Sequence, residues 1–117
     1  MRLSVQDGRG TVAAALRAHI ERRLAFVLSS FGERVAEVVV RLSDSGSPEG
    51  GDGLPEQCEM AVKLRPRELQ VADTGADQFV AVENAAERLG RSVARAVERE
   101  RAWLDDRPLP SVPRPRK

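Results

Sequence analysis

The sequence has a single cysteine, Cys58, so no intrachain disulfide holds it together, and a reducing compartment is the simplest setting. It has no apolar run long enough to span a bilayer. Its first ten residues, MRLSVQDGRG, lack the apolar centre of a signal peptide. These absences predict a cytoplasmic protein with no membrane partner. Tyrosine is missing and aromatics make up 3% of the 117 residues, so the core must come mainly from Val, Leu and Ala. The one histidine, His19, has no Cys or His at ligand spacing, which argues against a metal site. No nucleophile is paired with a base, no phosphate loop occurs, and the Gly-Asp-Gly at 51–53 precedes no helix. The expectation is a non-enzymatic protein without a cofactor.

What is present is charge and alternation. The length suits one domain with a single core. RLSVQ (2–6) alternates and reads as a strand, and DGRG breaks it. Thr11 is placed to cap a helix whose apolar positions Leu16, Ile20, Leu24, Val27 and Phe31 fall at helical spacing, with Gly32 as its stop. VAEVVVRLS (35–43) reads as a strand with Val38, Val40 and Leu42 on one face. A Gly- and Pro-rich polar loop follows. In CEMAVKLR, Cys58, Met60, Val62 and Leu64 point one way and Glu59, Ala61, Lys63 and Arg65 the other. ELQVAD is a fourth strand. Thr74 and Asp77 have capping-box spacing for a second helix running to about Leu104, with apolar positions Phe79, Val82, Ala86, Leu89, Val93 and Val97. Prolines 108, 110, 113 and 115 make residues 105–117 a basic tail outside the 1–104 domain. Trp103 is expected to pack at an edge.

The order β-α-β-β-β-α predicts an α+β fold. A right-handed crossover makes the first two strands parallel, and short connections make the others antiparallel. Because each strand is apolar on one face, the expectation is a four-stranded mixed sheet with two helices packed on that face, double-stranded-RNA-binding-domain-like in arrangement.

The net charge is +1, so any basic surface must be local. Asp44 to Glu59 carries five acids and no base; Arg107 to Lys117 carries four bases and no acid. Seventeen of the 19 bases are arginine, whose forked guanidinium suits phosphate. Arg88, Arg91, Arg95 and Arg99 recur on one stripe of the second helix, about 160° from the centre of its apolar stripe. Arg17, Arg22 and Arg23 lie on the first helix. If the helices lie side by side, their outer faces could form a continuous basic strip, with Glu83, Glu87 and Glu98 on its flank. The bland alternative is a solvated helix face. No aromatic lies on any strand, which excludes base-stacking sheet platforms. A double-stranded-RNA domain would need bases at the start of its last helix, where this chain has Asp77, Gln78 and Glu83.

Three stretches nonetheless carry a family likeness: ALRAHIERRL, FGERVAEVVVRL and DQFVAVENAAERLGRSVAR. In order and spacing, over about residues 1–101, the chain resembles the short ribosome hibernation-promoting factors, also called ribosome-associated inhibitors or sigma-54 modulation proteins. The resemblance implies the βαβββα fold and binding to small-subunit ribosomal RNA in the decoding region, where mRNA and tRNA are blocked. By position it implies Arg17, Arg23, Arg88, Arg91 and Arg95 as RNA contacts; helix geometry adds Arg22 and Arg99. The alternative is a protein-interaction module on the same fold, engaging a partner through the acidic loop or the tail. Cys58 is expected in the core, and Asp77 at a helix start.

Overall fold

The computed structural model describes the backbone of residues 2–44, 55–64 and 67–106, with side chains as far as residue 102. The expected acidic-loop residues 45–54, the Trp103 side chain and the tail from 107 lie outside the described residues.

Strand β1 (Arg2–Asp7) leads through a tight turn into helix α1 (Ala14–Val27), a single 3-10 turn (Gly32–Arg34) and strand β2 (Val35–Asp44). Strands β3 (Glu56–Leu64) and β4 (Glu68–Gly75) follow, and helix α2 (Gln78–Asp106) closes the order. The sheet runs β1-β2-β3-β4, with β1 parallel to β2 and the other pairs antiparallel, as the connections require. Both helices cover one face. Val38, Val40, Leu42, Cys58, Met60 and Val62 point into a single core with Leu16, Ile20 and Leu24 of α1 and Val82, Leu89 and Val93 of α2. Val35 joins them because a bulge between Val35 and Glu37 shifts the alternation by one residue.

Three local expectations are corrected. Thr11 does not cap α1: Gly10 N–H donates to Asp7 O at 3.1 Å, Arg9 N–H donates to Asp7 Oδ1 at 2.9 Å, and the helix starts at Ala14. Its N-cap is Ala13, with no side-chain hydrogen bond. Nor does α1 run on to Gly32; it ends at Val27, and Gly32, at φ +46°, reverses the chain into the 3-10 turn. Phe31 therefore packs against the core from a turn rather than extending the helical stripe. Thr74 belongs to β4, and the cap of α2 is Asp77, whose Oδ1 accepts from Val80 N–H at 2.9 Å while its carbonyl accepts from Ala81 N–H. The helix continues through Asp106, two residues past the expected end of the domain.

Candidate nucleic-acid interface

The seven arginines divide among four directions. The helices run side by side and parallel: His19 of α1 meets Phe79 of α2 with ring centroids 5.2 Å apart, and Val27 packs at Gly90. A Cβ on Gly90 would lie 3.2 Å from Val27 Cβ, so a small residue there lets the helices approach closely. These contacts fix the rotation of each helix.

On α2, the residues facing α1 (Phe79, Glu83 and Gly90) are centred about 145° from the Arg88/Arg91/Arg95/Arg99 stripe. The arginines occupy the flank above β4, where Arg88 Nε reaches Asp73 Oδ2 at 3.3 Å. The stripe was expected to lie almost opposite the core. It is turned to about 110° from the buried stripe because Ala81, Ala85 and Ala96 are also buried and widen the core face toward β4. Arg91 faces Glu87 at 3.7 Å. Arg95 and Arg99 are exposed and have no ion pair among the described residues.

On α1, Arg17 lies on the flank away from α2, paired with Glu21 at 3.2 Å. Arg22 points outward and is exposed. Arg23 lies in the crease between the helices. Its guanidinium carbon sits 5.5 Å from the centre of the Phe26 ring, and its Nε is covered with no hydrogen-bond partner in the described structure. Between the α2 row and the scattered arginines of α1 run Glu83, Glu87 and Glu98, so an acidic row divides the basic surface, which is not one strip.

The crease holds groups the sequence reading did not bring together. His19 Nε2 lies 3.4 Å from Glu83 Oε2 without hydrogen-bond alignment, and Phe26 is 71% exposed beside Arg23. The spacing of His19, Arg23 and Phe26, four and then three residues, was a visible signal that they share one helix face. At the end of the sheet where α2 begins, Arg9 joins Asp7 at 3.0 Å and Glu56 at 2.8 Å, and Gln78 donates to Asp7 Oδ2 at 3.1 Å. This clip ties the β1–α1 turn to β3 and to the start of α2. Among the described residues, no helix is long and apolar enough to cross a membrane.

Residues 4–101 match the family described as sigma 54 modulation protein / S30EA ribosomal protein. Among solved structures, the N-terminal domain of Thermus thermophilus Protein Y superposes with a TM-score of 0.67 at 23% identity, covering 81% of this chain and 98% of that one. A ribosomal subunit interface protein from Coxiella burnetii gives a TM-score of 0.71 at 13% identity, covering 84% of this chain and 99% of that one. At these identities the structural likeness establishes the fold. No curated protein matches by sequence.

Proposed function

Because the chain belongs to the sigma 54 modulation protein / S30EA ribosomal protein family, we propose that it binds the ribosome and silences translation by occupancy, working in the cytoplasm. Its helical layer docks on small-subunit ribosomal RNA in the decoding region and excludes mRNA and tRNA. The observation that carries this reading is the exposed row Arg88, Arg91, Arg95 and Arg99 on one flank of α2. The Coxiella burnetii relative's description as a ribosomal subunit interface protein supports the choice of partner.

The grip is electrostatic. Arg22, Arg95 and Arg99 meet phosphate without first leaving a carboxylate in the described structure. Arg17, Arg88 and Arg91 must exchange Glu21, Asp73 and Glu87 for phosphate. Exposed ion pairs of this kind are worth about 0–1 kcal/mol, so the exchange is cheap. Each phosphate neutralised releases counterions, and the logarithm of the affinity falls against the logarithm of salt by about 0.7–0.9 per contact.

A second reading, a protein-interaction module on this fold, is favoured by the acidic row Glu83, Glu87 and Glu98, which repels phosphate along the middle of the helical layer. Sedimentation with intact ribosomes at low and moderate salt separates the two. Under the RNA reading the protein co-migrates and the association fades with salt. The triple variant Arg88→Glu, Arg91→Glu, Arg95→Glu stays folded and no longer sediments with ribosomes. Undiminished binding by the triple variant would remove these arginines from the site. Association that ignores salt would favour the protein partner.

A further inference from the structure

The sheet face opposite the helices has its own charge order. The register aligns Arg2, Glu37, Lys63 and Glu68 in one row across β1 to β4. Two residues along the strands lies the row Ser4, Val39, Ala61 and Gln70, and two further on, Gln6, Arg41, Glu59 and Ala72. The sign alternates along every charged row. Opposite charges stand directly across neighbouring strands. Yet among the described residues none of the six charged side chains is in an ion pair or a hydrogen bond. Between them, Val39, Ala61 and Ala72 floor a shallow depression of about 340 Å³.

This order is self-complementary. A two-fold axis lying in the face, along the strands between β2 and β3, lays β1 of one copy over β4 of the other and β2 over β3. Arg2 then meets Glu68 of the other copy, Glu37 meets Lys63, and Arg41 meets Glu59. Each of these six charges meets its opposite, and Val39 meets Ala61 at the centre. Aligned sheets cross at about 30°, which displaces outer-strand residues by roughly 4 Å along the strand, within reach of Arg and Glu side chains. We propose that a second copy of this chain docks here, sheet on sheet. The dimer leaves both helical layers facing outward, and it stands independently of the ribosome reading.

The interface is weak by size. Four strands of six to ten residues give a face of about 500 Å², or about 1,000 Å² buried in total, the low end for specific association. With little apolar area at the centre, dissociation falls at roughly 10–100 μM and rises with salt.

Sedimentation velocity on the full chain tests this without ribosomes. At low salt the mass should climb from monomer toward dimer across that concentration range, and return to monomer at about 0.5 M salt. Glu37→Lys sets lysine against Lys63 of the other copy; Lys63→Glu sets glutamate against Glu37. Each variant alone should remain monomeric. Mixed in equal amounts, they should associate again, because both crossed pairs are then opposite in sign. Circular dichroism confirms that each variant is folded. A wild type that stays monomeric throughout, variants that associate alone as the wild type does, or a mixture that stays monomeric would each overturn the proposal.

Discussion

Cys58 lies on the inward row of β3 beside Met60 and Val62, where solvent does not reach it. Burial, with a smaller contribution from the Glu59 charge, pushes its thiol up to about 12. The thiolate is the reactive form, so alkylation of the native protein at neutral pH should run roughly a thousandfold slower than for a free thiol. In denaturing urea it should recover the free rate; a fast native rate would take Cys58 out of the core. Asp7 moves the other way. Burial raises its carboxyl, but hydrogen bonds from the Arg9 side chain and backbone and from Gln78 outweigh this and hold it below its ordinary 3.8. A depressed carboxyl contributes stability that is complete above the ordinary value and is lost as pH falls through the depressed one. Asp7→Asn should therefore cost about 1 kcal/mol at pH 7, discounted for the exposure of Arg9. Urea unfolding should show the gap to wild type closing as pH drops below 3.8. A gap independent of pH would mean that the clip acts through shape rather than charge.

Helix α2 begins where β4 ends, and the two meet closely. A Cβ on Gly75 would lie 2.5 Å from the backbone nitrogen of Ala81, so glycine is required for the approach rather than for its φ. The cap follows from this placement. Asp77 binds the free N–H of Val80, whereas Thr74 contributes its backbone carbonyl, accepting from Asn84 Nδ2 at 2.9 Å. Asp77→Ala should cost about 1 kcal/mol, while Thr74→Ala should leave the cap intact. Thermal unfolding reads the difference as a fall of roughly 4 °C for the first variant alone. Both residues are good cap types at good spacing, so sequence cannot choose between them. The end of the sheet makes the choice, because Thr74 is still paired with Gln57 of β3. The rotation of α2 was hidden for a similar reason. Alanine is small and only weakly apolar, so it does not mark a face by itself, and Ala81, Ala85 and Ala96 lie outside the stripe that the larger apolar residues define.

In the whole molecule, α1 and α2 share one layer, but their arginines look in different directions across the acidic row. Arg34 Nη2 and Glu100 Oε1, 2.6 Å apart, tie the turn after α1 to the far half of α2 and hold this spacing. Arg22 and Arg95 are on different helices and share no partner among the described residues, and such sites behave independently. If the proposed ribosome reading holds, Arg22→Ala and Arg95→Ala should therefore weaken that binding additively, to within about 0.5 kcal/mol. Binding curves for the two single variants and the double variant measure this. A larger coupling would mean that one phosphate is gripped from both helices.

The sequence by itself determined the four strands, their order, the parallel first pair and the face each turns inward. Strict alternation leaves a half-buried strand no other way to sit, and crossover handedness leaves few topologies. It also placed every arginine of the candidate site on its helix. Only the tertiary structure decided how those helices are rolled, which cap closes α2, and that an acidic row divides the arginines. Helix roll depends on which small residues find partners, and that is set by the sheet beneath them. The charge rows of the open sheet face belong to the same class. Each residue's face was legible from alternation, but which charges stand in line across four strands is a matter of register, and register is set by the packed core on the other side.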